Sequence, residues 1–343
     1  MRDRRSFLAA CTGAAASAVD IGRLLGEGPS PFRIRGVVLL PEDLTLTDWP
    51  ERAKKVGLTT IGIHHQNSPA AVIEWMKSDA GQRFREQCLK LRLEVEFELH
   101  AMKELLPRVL FAKNPDFFRM NDKGMRQSDS NCCVHSARAL EIIAENALRI
   151  GKDLRPTTGR YFYWGDDGAP WCRCPKCKEL SPSEQAVIIE NRILTELRKH
   201  EPKAQVAHLA YQNTLAPPKA VKPVEGVFLE FAPINRRYDI PHDEQGSNKT
   251  GGLEALDANL RVFATGSAQV LEYWLDASRF SHWKRPAVRV PWLRKVFLAD
   301  LEAYRKRGVK CVTTFAAWID ADYNRQYGSL DFLAEYGEGL NSR

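Results

Sequence analysis

From residue 32 to its end the chain alternates between short apolar stretches of strand length and longer stretches with helical spacing. Strand-like segments fall at 32–39, 59–64, 94–99, 160–164, 205–210, 227–232, 269–274 and 310–316. Helix-like segments at 50–56, 70–91, 136–154, 182–200, 253–263, 291–307 and 329–336 follow all but the fifth of them. Strands separated by helices pair in parallel, because the crossover returns the chain to the same edge. Eight such units in about 310 residues predict an α/β protein, a single (β/α)8 barrel over 32–343. An open doubly wound sheet is the alternative, but the first strand–helix turn carries no Gly-x-Gly-x-x-Gly. The clearest helix start is Ser181-Pro182-Ser183-Glu184: a capping hydroxyl, a proline at the first helical position, and a glutamate three residues after the cap.

Residues ahead of the barrel read as an address. Arg4-Arg5-Ser6-Phe7-Leu8 is a twin-arginine pattern followed by a small apolar run, and Ala16-Ser17-Ala18 offers a cleavage site. We expect 1–18 to be an export signal, 19–31 a linker, and the workplace periplasmic or extracellular. Leu8-Ala9-Ala10-Cys11 also fits a lipobox, though it stands closer to the arginines than an apolar signal core requires. Removing three Arg and one Asp with the signal lowers the net charge from +7 to +5. No basic run interleaves with aromatics, which argues against a nucleic-acid partner. No apolar stretch is long enough to span a membrane. Nothing in the pattern fixes the oligomeric state.

In a barrel the active site forms where strands end and the following loops begin. Those positions hold His64 and His65, then Glu98 and His100, then Asp166 and Asp167. Next come Tyr211 and Gln212, Glu230, Glu272 with Asp276, and Trp318 with Asp320. Carboxylates are rarely buried without a partner or a task. Trp164, Trp171, Tyr211, Tyr273, Trp274 and Trp318 gather near the same ends. Flat rings with carboxylates between them suit sugars, although Trp274 and Tyr161 fit core packing better. Asp166-Asp167-Gly168 is the sharpest feature. Neighbouring acids could divide a proton-donor and a polarising role, like-charge repulsion keeping one protonated. Either could instead cap the loop through its amides. Glu230, an acid inside an apolar strand, and Glu272 read as a second carboxylate pair, with Asp276 on the side of Glu272 if the strand stays extended.

Cys172-x-Cys174-x-x-Cys177 follows the aspartates at once. Three thiols within six residues cannot readily pair with one another, but they can wrap a tetrahedral ion. Cys133 is the preferred fourth ligand, with Cys132 or His135 as substitutes. The cofactor expectation is therefore a structural zinc, with disulfides as the alternative, and no organic cofactor. A closed four-thiolate site would pin the loop that carries the aspartates and leave no open position for chemistry.

Taken in order, several of these residues resemble a known family. They are His100 with Leu105-Leu106-Pro107, Asn114-Pro115-Asp116-Phe117-Phe118, and Cys133 before a helix. Asp167-Gly168 before the three cysteines follows, then Leu209-Ala210-Tyr211 with Pro217-Pro218. Over roughly Glu98 to His242 the chain resembles the bacterial domain-of-unknown-function 4838 group, which includes glycoside hydrolase family 163. The resemblance implies a (β/α)8 barrel that acts on glycans, with endo-β-N-acetylglucosaminidase activity among some members. The aspartate pair is also similar to the Asp-Glu pair of family 20 hexosaminidases, with Asp167 one methylene shorter than the glutamate. The last strand, Cys311-Val312-Thr313-Thr314-Phe315-Ala316, carries no acid.

The expected function is therefore an exported glycoside hydrolase acting on glycans, of the β-N-acetylglucosaminide type, by acid/base catalysis with acetamide assistance. Asp167 is the expected acid/base, Asp166 the polariser, and Glu230 and Glu272 the second pair. His100, Tyr211, Gln212, Trp164, Asp276 and Trp318 are expected to bind an oligosaccharide. A non-catalytic glycan-binding barrel and a lyase or epimerase with His64 or His100 as base are the alternatives.

Overall fold

The computed structural model describes residues 30–65, 68–245 and 252–342. The proposed export signal and most of the linker lie outside the described residues. Eight parallel strands close into a barrel in sequence order. They are β1 (Ile34–Leu39), β2 (Thr60–His65), β3 (Glu94–His100), β4 (Arg160–Trp164), β5 (Gln205–Ala210), β6 (Val227–Phe231), β7 (Gln269–Glu272) and β8 (Cys311–Phe315). The single (β/α)8 barrel is the fold of this chain. Close packing of the first strands uses glycine: a β-carbon on Gly36 would lie 2.8 Å from the Thr60 carbonyl oxygen, and one on Gly62 2.7 Å from Glu98 Oε1.

The outer helices are α1 (Trp49–Lys55), α2 (Pro69–Lys77), α3 (Asp79–Leu91), α4 (Met102–Leu105), α5 (Ala137–Asp153), α6 (Pro182–Leu197) and α7 (Leu253–Leu260). Then come α8 (Ala277–Phe280), α9 (Arg294–Lys306), α10 (Ala321–Tyr327) and α11 (Asp331–Asn341). The capping box of α6 forms as expected: Ser181 Oγ accepts from Glu184 N, and Ser181 N donates to Glu184 Oε2 at 2.8 Å. The helix expected over 70–91 is two. Ser78 stands extended between them and its hydroxyl accepts from Gly81 N, so a capping side chain breaks a pattern that apolar spacing alone would continue. β5 is followed by one short 3-10 turn, Gln212–Thr214, in place of a helix.

Strand parity divides the apolar core. Outward side chains pack with the helices in one large cluster, while Val38, Phe162, Trp164, Ala207, Phe228, Leu271, Tyr273 and Phe315 form a second, inside the barrel. Below the mouth the interior is polar. Arg160 donates to Glu96 (3.3 Å) and Gln269 (2.7 Å) and lies 4.1 Å from the Phe228 ring centre. Gln269 in turn donates to Glu230 Oε1 and Thr313 Oγ1.

Candidate functional site

The same parity brings one side chain from nearly every strand to the carboxyl-terminal mouth: His64 (β2), His100 (β3), Trp164 (β4), Tyr273 just past β7 and Phe315 (β8). Tyr211, directly after β5, joins them. They line a cavity of about 470 Å³, a size that suits a small ligand. Loops complete its wall with Glu42, Asp167, Asp276, Ser278, Trp283, Arg285 and Trp318.

Both inner histidines have a fixed tautomer. His64 Nδ1 meets the Glu98 carbonyl at 2.7 Å and His100 Nδ1 the Gly165 carbonyl at 2.6 Å. A carbonyl only accepts, so each Nδ1 carries the proton and each neutral Nε2 is left as an acceptor. Burial, with the neighbouring His100, lowers the His64 pKa to about 3. Burial also lowers that of His100, against the opposing pull of Asp167. The rings lie 6.0 Å apart at centroid, and Trp164 contacts both.

The adjacent aspartates part. Asp166 turns away from the cavity: its Oδ2 accepts from Arg108 (2.7 Å) and from Asn131 N (2.6 Å), while its own amide donates to Asn131 Oδ1 (3.0 Å). Its Oδ2 clamps the loop, and the expected polarising role is corrected: Asp166 does not line the cavity. Asp167 faces the cavity, its side chain 55% exposed, with one oxygen 3.9 Å from His100 Nε2. The Tyr211 hydroxyl lies beside it; burial first and this carboxylate second raise the phenol's pKa, so Tyr211 remains a donor.

Glu230 and Glu272 are not a pair. Glu230 points inward but one step below the mouth, where Oε2 accepts from Trp164 Nε1 (2.8 Å) and Oε1 from Gln269. Burial raises its pKa to about 8. Glu98 beside it is pushed well above the ordinary carboxylate range, first by burial and then by the charge of Glu230. Glu272, of opposite parity, points out toward α9. There it is ion-paired with Arg236 (3.1 Å) and accepts from the Tyr238 (3.0 Å) and Tyr304 hydroxyls. Neither lines the cavity. β7 ends at Glu272, so Asp276 does not share its side. Asp276 instead caps α8, Oδ1 accepting from Ser278 Oγ (2.6 Å) and Arg279 N (3.1 Å), and lines the cavity. Burial raises its pKa.

Of the expected sugar-binding residues, His100, Tyr211, Trp164, Asp276 and Trp318 reach the cavity. Gln212 lies in an adjoining groove and donates to the Tyr211 hydroxyl (2.7 Å). The sequence reading missed Trp283, Arg285 and Glu42. Arg285 lies 4.6 Å over the Trp318 ring and is held by Asp320 at 2.7 Å. Trp318 N donates to the buried Asp43 (2.8 Å), which joins the loops after β1 and β8. These residues sit in long loops, where apolar periodicity carries no information.

Behind Asp166 the cysteines converge. Ligand atoms of Cys133, Cys172, Cys174 and Cys177, all buried, lie within 4.8 Å of one another. Cys133 Sγ is 3.8 Å from both Cys174 Sγ and Cys177 Sγ. That is far too long for a disulfide and close to the edge of a tetrahedron with metal–sulfur bonds of about 2.3 Å. Met120 N (3.3 Å) and Arg126 Nη1 (3.8 Å) are directed at Cys172 Sγ, donors that favour a thiolate. His135 Nδ1 stands 3.2 Å from Cys177 Sγ, outside the four. Cys132 is buried but absent from the group, and burial raises its thiol.

A family model described as a domain of unknown function (DUF4838) matches residues 49–275. A search of curated proteins finds no match. Among solved structures, a catalytic mutant of the GH42 beta-galactosidase Gan42B from G. stearothermophilus is similar at 12% identity and TM-score 0.56, over 91% of this chain and 57% of that one. The beta-galactosidase of psychrophilic Marinomonas ef1 is similar at 11% identity and TM-score 0.53, over 90% and 59%. PbGH5A, a glycoside hydrolase family 5 enzyme from Prevotella bryantii B14, is similar at 10% identity and TM-score 0.51, over 92% and 99%. The chain thus spans under three fifths of either galactosidase and nearly all of the Prevotella enzyme. At these identities the likeness shows the barrel fold.

Proposed function

Starting from a chain that belongs to the DUF4838 family, we propose that the protein is a glycoside hydrolase with Asp167 as its general acid/base. The observation that carries this reading is one exposed carboxylate, Asp167, at the wall of an aromatic-lined cavity between the His100 and Tyr211 side chains. Aromatic faces and hydrogen-bonding edges suit a sugar ring. Asp167 gives its proton to the glycosidic oxygen as the bond from the anomeric carbon breaks. Strand β7 directs Leu271 and Tyr273, not an acid, at the cavity. In this reading the sugar's own 2-acetamido oxygen bonds to that carbon, oriented by the Tyr211 hydroxyl and Asp276. Water then adds to the same carbon as the acetamido oxygen leaves it, the water's oxygen becoming the new hydroxyl and its proton returning to Asp167. Asp167→Asn should lower kcat by ~10²–10⁴ without lowering Tm; unchanged turnover would remove Asp167 from the mechanism. A glucoside lacking the acetamide should turn over at least 100-fold more slowly than the matching N-acetylglucosaminide, a roughly 3 kcal/mol difference.

Within the same proposal, Cys133, Cys172, Cys174 and Cys177 hold a structural zinc that fixes the loop of Asp166 and Asp167. Metal analysis of the purified protein tests it, one zinc per chain being the expected result. Export by the Arg4-Arg5 signal would be tested by locating Arg4→Lys/Arg5→Lys protein in the cell. A second reading, a lyase or epimerase, is favoured by the two neutral Nε2 acceptors of His64 and His100. It predicts exchange of a sugar C–H proton with deuterated solvent, which the hydrolase does not.

A further inference from the structure

Between Asp276 and Asp300 the chain runs without a single acid and carries Arg279, Lys284, Arg285, Arg289, Arg294 and Lys295. The stretch comprises α8, the connection 281–293 and the start of α9. Trp283 and Trp292 stand among the cations, so the expectation that no basic run interleaves with aromatics is corrected here. The run is inconspicuous in the sequence because its cations are spread out.

Two independent observations mark this connection as a surface with a partner. The first is apolar exposure. Among the described residues seven large apolar side chains are exposed, and three of them, Trp283 (55%), Val288 (43%) and Leu293 (44%), fall in this one connection. The chain around them is pinned. Val288 N donates to Ser281 Oγ (2.9 Å), Val290 N to the Tyr323 hydroxyl (2.9 Å), the Tyr327 hydroxyl to the Ala287 carbonyl (3.0 Å), and Trp292 Nε1 to Glu335 (2.8 Å). Ala287 and Val290 are buried while Val288 between them is left in water.

The second observation is charge. Arg279 is held by the Ile234 and Arg236 carbonyls, Arg285 by Asp320, and Arg294 by Glu335 and Glu338. On α10, which the connection crosses, Asp322 is met by Arg325. Lys284, Arg289 and Lys295 are exposed and have no ion pair among the described residues.

We infer that this connection docks the protein on an anionic phospholipid surface. Lys and Arg side chains are drawn to negative headgroups, and indole and aliphatic side chains gain by entering the boundary beneath them. A hydrophilic polyanion in solution would use the cations and leave Val288 and Leu293 in water. The contact is interfacial: a loop rests among the headgroups and does not span the bilayer. Trp283 and Arg285 also line the cavity, so docking sets the cavity mouth beside the lipid, whatever bond is broken there.

The test is co-sedimentation of the full chain with vesicles of phosphatidylcholine alone and of phosphatidylcholine mixed with phosphatidylglycerol, at low and high salt. Binding to the mixed vesicles should be at least about tenfold tighter than to phosphatidylcholine and should weaken with salt. Arg289→Glu/Lys295→Glu should lower it by about tenfold or more. Lys77→Glu/Lys90→Glu makes the same change in net charge at exposed positions of α2 and α3, and should leave binding within about twofold of the wild type. Val288→Ser/Leu293→Ser should weaken it by about threefold or more at both salt concentrations. The substituted side chains are exposed, so each variant should keep the wild-type Tm. No binding to the mixed vesicles, an Arg289→Glu/Lys295→Glu protein that binds as the wild type does, or equal losses from the two charge reversals would overturn the docking surface. So would a preference for soluble polygalacturonate or duplex DNA over the vesicles.

Discussion

Asp166 and Asp167 above β4, and Glu230 and Glu272 in the walls of β6 and β7, are two sets of acids under opposite constraints. In the loop, consecutive residues diverge: one carboxylate accepts from Arg108 and Asn131 through a single oxygen, and its neighbour faces the cavity. In the strands both acids are consumed by the protein, Glu230 by Trp164 and Gln269 inside, and Glu272 by Arg236 and two tyrosines outside. Of the four acids, Asp167 alone lines the cavity.

Four measurements press on that contrast. The largest difference is in turnover: Asp167→Asn should lose ~10²–10⁴ in kcat, while Glu272→Gln, assayed well below its melting temperature, keeps most of it. Stability should reverse the order. Glu272→Ala leaves Arg236 with Asp300 as its one carboxylate partner and takes an acceptor from the Tyr238 and Tyr304 hydroxyls. It should cost about 3–5 kcal/mol in denaturant unfolding, against under about 0.5 for Asp167→Asn. Asp166→Ala should fall between, at about 1.5–3 kcal/mol, with a smaller drop in kcat because it loosens the loop of Asp167. Equal behaviour of the two aspartates in both assays would collapse the comparison.

The smallest effect is on pH dependence. Glu230 has a folded pKa of about 8, above that of an unfolded glutamate, so the folded state holds its proton more tightly. Its contribution to stability is present below about pH 4.5 and is lost as the pH rises through about 8. His64, lowered to about 3, acts the other way: its contribution is present above about pH 6.5 and is lost as the pH falls toward 3. Glu230→Gln should therefore flatten the decline of Tm between about pH 4.5 and 8 and leave the more acid side unchanged. A decline as steep as in the wild type would show that Glu230 does not carry it.

The barrel was legible because its signal is repeated eight times, and an error at one element, such as the helix break at Ser78, does not disturb the rest. The cysteine cluster was legible because three ligands are close in sequence and only one had to be found elsewhere. Asp167, His100 and Tyr211 stand out because strand ends and mouth positions coincide in this fold. Glu272 could not be assigned without the register that sets its parity, and Asp166 could not be told from Asp167 without Arg108 and Asn131, far away in sequence. Trp283 and Arg285 lie in a connection with no periodicity, placed by contacts with Ser278 and Asp320.

The cysteine cage has a consequence in terms of chain connectivity. Cys133 precedes β4 and the other three follow it, so a metal seated there closes the intervening chain, α5 and β4 included, into a ring. A single protease cut inside that ring would leave two pieces still tied together after the barrel is unfolded in denaturant. A chelator would then separate them. Nicked protein run with and without chelator would thus report on the cage independently of any enzymatic assay.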